Sequence, residues 1–496
     1  MLCSTAKALL GAALFAALFI APMPRLLSQK APTHIIMSGS PDGAVYPLKA
    51  SGNNRYLVDQ NNTPFLMIGD SPQQLITNLS PQDAAAFMGN RRSYGINTLW
   101  INLLCIFTMG SCNEEAKTFD GIEPFLVAGD IATPNPAYFQ RADDMLRIAG
   151  DHGMLVVLDP IETISWLDIL RKSGKSKAFG YGQYLGNRYK DFPNIIWMHG
   201  NDFQSWRNAA DDDLVQAVAR GIRSVDTSHI HTVELNYTTS GSLEDNSWAP
   251  LIELNAAYTY FPTYAQVLTE YNRENFKPVF LVEANYEFES VGPDTNGGTT
   301  QNLRRQEYWA MLSGAAGQLY GSAHTWPLQK GWEANLDTPG VIQLGYMKNL
   351  FVSRKWYDLV PDQTHAVVTD GYDHFSCIVG KFVAYVQESL MSEAFNRIPK
   401  NLGIGSITNN TCATAAHTSD GSLVMVYIPT IRAITVDMSK LSGPTTASWY
   451  DPTSGEYVEV EGSPFANHGS RQLIPPGPNK SGEADWVLVL EARTAR

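Results

Sequence analysis

Eight short β-rich runs, separated by stretches with helix grammar, are the feature that most limits what this 496-residue chain can fold into. In order they are Phe65–Gly69, Thr98–Leu103, Leu155–Leu158, Ile195–Met198, Ile230–Leu235, Leu251–Tyr258, Val279–Val282 and Gly317–Tyr320. Near-continuous apolar runs fit strands buried on both faces, as a parallel sheet requires. The segments between them carry helix signals. Ser80-Pro81-Gln82-Asp83 supplies an N-cap, a proline at the first helical position and an acidic first turn, with Gly95 placed to end the helix. Asn135-Pro136 opens a second such stretch that Gly153 closes. Eight β/α units predict a (β/α)8 TIM barrel. No G-x-G-x-x-G follows the first run, which argues against a doubly wound dinucleotide fold.

Beyond about Val360 the pattern changes. Short alternating runs such as Phe382–Val386, Leu423–Ile428 and Trp486–Leu490, separated by turns such as Ser419-Asp420-Gly421, predict a small all-β sandwich without a long helix. At the other end, Lys7 precedes the apolar run Ala8–Ala21, which Pro22 and Pro24 break. That run is short for a bilayer span of about 20 residues and reads as a secretory signal. The expected layout is a signal peptide at 1–24, an N-terminal extension at 25–50, a catalytic barrel at 51–360 and a β-sandwich domain at 361–496. The protein is expected to be secreted or periplasmic and monomeric, with no stable membrane association once the signal is removed. Cys105, Cys112, Cys377 and Cys412 allow three pairings; the expected one joins Cys105 to Cys112 and Cys377 to Cys412, the latter bridging two strands.

Composition excludes some functions. Lys and Arg number 36 against 49 Asp and Glu, a formal −13, which disfavours a nucleic-acid grip that must displace counterions. Eleven Trp, 22 Tyr and 20 Phe suit stacking on sugars, although most must be core. No G-x-S-x-G, H-E-x-x-H or phosphate loop occurs, and the cysteines lack zinc-site spacing, so neither metal nor cofactor is expected.

In a TIM barrel the chemistry lies at the C-terminal ends of the strands. The eight runs end in Asp70; Asn102; Asp159; His199, Asn201 and Asp202; Glu234 and Asn236; Tyr258 and Tyr260; Glu283, Tyr286 and Glu287; and His324 and Trp326. Asp202 and Glu283 stand out as a carboxyl pair on one rim, which is what glycoside hydrolysis needs: one acid for the leaving oxygen and one carboxylate for the anomeric carbon. The remaining residues, Glu234 excepted, are candidate substrate contacts. Asp70 has a competing structural role in an ion pair with Arg91 or Arg92, and Glu287 is a rival for the role of Glu283.

The runs Asn54–Gln73, Asn90–Leu104, Asn135–Leu158, Tyr181–Asp202, Lys277–Glu287 and Arg304–Trp326 resemble, in order, the apiosidase-like glycoside hydrolase barrel. The tail, with SWYDPTSGEY and DWVLVL, is similar to the collagen-binding-type β-domain that usually follows it. The resemblance implies Asp202 as acid/base and Glu283 as nucleophile. Where the family usually has a doubled glycine before the acid, this chain has Gly200-Asn201; an Asn there resembles the wider clan of retaining barrel glycosidases, in which it contacts the sugar 2-hydroxyl. The family's Gln-Ser pair at the sixth run is replaced by Ala256-Ala257-Tyr258. The expectation is a secreted retaining glycosidase, exo-acting on a furanosyl or related sugar of a polysaccharide side chain. A transglycosylase on the same barrel and a non-catalytic carbohydrate- or matrix-binding protein are the competing readings.

Overall fold

The computed structural model describes residues 43–113, 116–204, 208–235, 239–289, 294–389 and 403–493. The segment read as a signal and residues 25–42 lie outside them.

All eight predicted runs contribute strands. The sheet comprises β1 (Met67–Asp70), β2 (Thr98–Asn102), β3 (Leu155–Asp159), β4 (Ile195–Phe203), β5 (His231–Leu235), β6 (Thr239–Gly241), β7 (Asn255–Thr259), β8 (Val279–Glu283) and β9 (Gly317–Tyr320). Their order is β5-β4-β3-β2-β1-β9-β8-β7-β6, parallel except for β6, which pairs antiparallel with β7. The unforeseen β6 marks a seam in the barrel. There the Ser242 hydroxyl donates to Val233 O at 2.5 Å and accepts from Ala256 N at 2.8 Å, so a side chain replaces ladder bonds between β5 and β7.

Alternation along each strand sorts the apolar side chains. Trp100, Leu155, Val157, Ile196, Met198, Phe280 and Val282 fill the barrel interior. Leu99, Ile101, Val156, Leu158, Ile195, Trp197 and Val233 pack outward on the helices. Burial on both faces explains why the runs are continuous rather than alternating. The outer helices begin and end as their sequences predict. In α1 (Pro81–Ser93) the Ser80 hydroxyl accepts from Asp83 N, and in α2 (Pro136–Asp151) Asn135 accepts from Ala137 N. The ring continues through α3 (Thr163–Tyr189), α4 (Ala209–Arg223), α5 (Thr263–Tyr271), α6 (Thr300–Leu312) and α7 (Pro339–Val352). An antiparallel ribbon of Lys49–Ala50, Leu57–Val58 and Pro64–Phe65 adds Leu48, Leu57 and Phe65 to the interior cluster, plugging the end of the barrel away from the strand C-termini.

The tail contains β10 (Leu359–Pro361), β11 (Val368–Asp370), β12 (Thr414–Thr418), β13 (Leu423–Ile428), β14 (Ile434–Asp437), β15 (Thr445–Tyr450), β16 (Tyr457–Glu459), β17 (Ser470–Leu473) and β18 (Trp486–Ala492). They form an antiparallel six-stranded sheet, β10-β12-β13-β18-β15-β16, and a three-stranded sheet, β11-β14-β17. Val424, Val426, Ile428, Leu488 and Leu490 face the smaller sheet in a sandwich core. Met425, Tyr427, Val487 and Val489 face the other way, into the same apolar cluster as the barrel helices, and Tyr427 stacks on Tyr308 of α6 at 5.2 Å. Arg304 of α6, 1% exposed, reaches across to Asp485 at 2.8 Å.

One tail expectation fails. Phe382–Val386 is not a strand; it lies in α8 (His374–Ser389). The buried stripe of α8 consists of Ser376, Cys377, Gly380 and Ala384, at helical spacing, and a Cβ on Gly380 would fall 1.9 Å from the Tyr264 hydroxyl of α5. Small residues make that contact, while Phe375, Ile378, Phe382 and Tyr385 stay exposed, so the usual apolar period is absent from the packed face. Both predicted disulfides form, Cys105–Cys112 and Cys377–Cys412, but the second ties α8 to the segment before β12 rather than strand to strand.

Candidate active site

Two backbone irregularities turn carboxylates into the bowl. Between His199 and Phe203, β4 advances four residues while its partner β5 advances only two, from Val233 to Leu235. Gly200-Asn201-Asp202, with φ of +108°, +65° and +56°, thus stand opposite the single residue Glu234. A Cβ at position 200 would lie 2.2 Å from Glu234 O, so glycine is required there. Asn201 adopts the left-handed conformation that Asn tolerates better than most residues. The Thr163 hydroxyl holds the excursion by donating to Gly200 O at 2.9 Å and Asn201 O at 3.0 Å. On β8, Leu281 pairs with Ala257 but Glu283 with Tyr258, so one extra residue re-aims Glu283 toward the side that Tyr258 occupies.

Glu283 accepts two phenolic hydrogen bonds, from Tyr260 to Oε1 at 2.6 Å and from Tyr286 to Oε2 at 2.9 Å. Tyr258 donates to the Tyr260 hydroxyl at 3.4 Å and also bonds the Asp202 carboxylate. Burial raises Asp202 to about 6. Glu283 is pushed up to about 8, by burial first and then by the negative charge of Asp202, against the opposing effect of its two phenol donors. Asp159, at the end of β3, is raised to about 8 by burial; its Oδ1 accepts from Ile161 N and its Oδ2 has no partner. Glu234, at the end of β5, is held well above the carboxylate range by burial and by Glu283 and Asp202. The four carboxyls form an enclosed acidic site in which one or more protons are retained near neutral pH.

The neighbours of this set match part of the expected list. Asn102 donates to Asn201 Oδ1 at 3.0 Å and accepts from Trp100 Nε1 at 2.9 Å. Tyr258, Tyr260 and Tyr286 are all buried there. Trp326 stands half-buried at the rim, donating to Glu289 Oε1 at 2.7 Å, and the exposed His324 ring lies 5.3 Å from Phe288. Asn236 lies outside the described residues.

Three expected contacts are placed elsewhere. Asp70 pairs with Arg91 at 2.5 Å, both wholly buried, because the alternation of β1 turns it toward α1. His199 projects from the outer face of β4, bonding His231 at 2.9 Å and stacking near Trp248; burial lowers it to about 3. Glu287 is consumed by structure, accepting from Thr338 at 2.6 Å, Gly340 N at 2.9 Å and Tyr320 at 2.5 Å, where it caps α7. Both carboxylate oxygens of Glu287 are thus occupied within the fold. Glu289 and Gln73, which donates to the Tyr286 hydroxyl at 3.3 Å, went unselected in the sequence because each lies beyond a strand end, where no period marks it. Among the described residues no group of three or more His, Cys, Asp or Glu is arranged to hold a metal ion.

The family model for the apiosidase-like catalytic domain matches residues 51–358, more than half of the chain. The chain belongs to the apiosidase-like family. It is a glycoside hydrolase. A second model, described as "Putative collagen-binding domain of a collagenase", matches residues 398–491 of this apiosidase-like chain. A solved structure titled "Glycoside hydrolase" superposes with a TM-score of 0.73 at 21% identity, covering 91% of this chain and 98% of that one. A glycoside hydrolase family 5 structure from Bacteroides vulgatus gives a TM-score of 0.73 at 20% identity, covering 90% and 93%. At such identities the likeness establishes the shared fold, barrel and tail together. No curated protein matches the chain by sequence.

Proposed function

We propose that the chain is a secreted or periplasmic retaining exo-glycosidase that removes a terminal furanosyl or related sugar from a polysaccharide side chain. The observation that carries this reading is the coupled carboxyl pair: Glu283, held by two phenol hydrogen bonds, and Asp202, on the β4 bulge, are both buried and both raised, so that the pair keeps a proton for the leaving oxygen. Glu283 attacks the anomeric carbon while Asp202 gives its proton to the departing glycosidic oxygen. Asp202 then takes a proton from the water that hydrolyses the glycosyl-enzyme, and the anomeric configuration is retained. Glu234, Asp159 and Tyr258 are each under 2% exposed, which supports a subsite enclosing one ring rather than an open cleft. The family description points to apiose-type furanosides, and two disulfides are consistent with an oxidising compartment. Among the described residues no helix is long and apolar enough to cross a membrane.

The test is turnover of a panel of aryl furanosides and pyranosides, with NMR of the first-formed anomer. Retention together with a collapse of turnover in Glu283→Ala, and a glycosyl azide formed by that variant in azide, is the expected result. An inverted first product, or near-normal turnover by Glu283→Ala, sinks the assignment.

A further inference from the structure

Resting on that reading of Asp202 and Glu283, we propose that Glu234 is a specificity-determining residue whose Oε1 hydrogen-bonds a hydroxyl of the sugar ring held between them. Glu234 ends β5 on the inward face, since its neighbours Val233 and Leu235 pack outward. Its Oε2 accepts from Asp202 N at 3.3 Å. Its Oε1 is buried and has no partner. A buried carboxyl oxygen without a partner forfeits its solvation, a cost that a ligand hydroxyl relieves. The position lies beside the reacting pair and off the route of proton transfer, where recognition of the ring belongs.

The groups that face Glu234 fix how it binds. They are the carboxyls of Asp159 on β3, Asp202 on β4 and Glu283 on β8, with Tyr286 and Tyr258 beside them. Among the described residues no lysine or arginine lowers any of these four carboxyls. With four acids and no cation, Glu234 keeps its proton. Because Oε2 is occupied as an acceptor, the proton sits on Oε1 and is donated to the oxygen of a sugar hydroxyl. A site built to bond one hydroxyl rejects analogues that lack or invert it far more strongly than apolar contacts can.

Glutamine reproduces a neutral glutamic acid in shape and donor, which makes the test discriminating. With the aryl glycoside turned over fastest by wild type, Glu234→Gln should lose the least kcat/KM of three variants and leave the pH profile in place. Glu234→Asp and Glu234→Leu should lose at least about tenfold and about hundredfold, and Glu234→Leu should narrow the preference between that sugar and its epimers. Wild-type kcat/KM in Glu234→Asp or Glu234→Leu would overturn the proposal. So would a downward move of the acid limb by a pH unit in Glu234→Gln, which would reveal a charged Glu234 acting on Glu283 from a distance. Calorimetric titration of the free monosaccharides into wild type and Glu234→Leu reads the same contact without turnover. Failure of hydrolysis alone therefore counts against the glycosidase reading, whereas equal sugar affinity in the two proteins counts against Glu234.

Discussion

The hydroxyls of Tyr258 and Tyr260 lie 3.4 Å apart and, through their outer partners, join Asp202 to Glu283 by phenols rather than by a cation. A phenol steadies a carboxylate without neutralising it, so each acid remains free to change charge during turnover. Tyr260→Phe removes one of the two donors that lower Glu283. The Glu283 pKa should then rise, and because a nucleophile must be ionised, the acid limb of kcat/KM should move to higher pH. A loss of about 10- to 100-fold in kcat is expected from one bond to a charged group. A fixed acid limb would show that the bond does not tune Glu283.

Asp202 and Glu283 should fail differently. Asp202→Asn removes the proton donor, so substrates with poor leaving groups should lose at least about a hundredfold in kcat/KM while activated aryl glycosides lose much less. Glu283→Gln should lose activity on both kinds. Equal losses for Asp202→Asn across leaving groups of rising acidity would reject its role as the acid.

Gly200→Ala places a Cβ 2.2 Å from Glu234 O at a φ of +108°. Strain and overlap should cost at least about 2 kcal/mol of stability. Because the same turn carries Asp202, turnover should fall with it. Unchanged melting and kinetics would mean the bulge is not needed.

Asp159 gives a pH signature of stability. Its folded pKa, about 8, stands above the ordinary carboxylate value, so between about pH 4 and pH 8 the folded chain holds a proton that the unfolded chain has released. Stability from this group therefore falls as pH rises through that window. Asp159→Asn mimics the protonated form and does not titrate. It should match wild type near pH 4.5 and exceed it by about 1 kcal/mol or more at pH 8 in denaturant melts. Parallel curves would refute the assignment.

Arg304→Ala leaves Asp485 buried without its cation. A loss of about 3–5 kcal/mol is expected, felt in barrel and tail alike. Calorimetry should still give one transition; loss confined to a separate tail transition would contradict a shared core.

The barrel was legible because eight doubly buried strands leave eight apolar runs, and the rim positions of Asp202 and Glu283 because both fall at strand ends. What escaped has local physical causes. Asp70 had two readings, and the alternation of β1 decides for the ion pair with Arg91; the direction of Glu287 depends on the α7 N-terminus, a partner remote in sequence. The turning of Glu283 by a bulge cannot be counted from residue types. Helix α8 hid because its packed face is Ser376, Cys377, Gly380 and Ala384, so closeness rather than hydrophobicity holds it.

The central strands of the larger tail sheet offer neither face to water, one being spent on the sandwich core and the other on the barrel helices through Tyr427, Val487 and Tyr308. A gene fragment beginning near codon 361 would transmit half of an interface, and the barrel's fragment would transmit the other half. Recombination should therefore have kept the two together, and a lineage that lost the tail should carry a new polar residue on α6 where Tyr308 now stands.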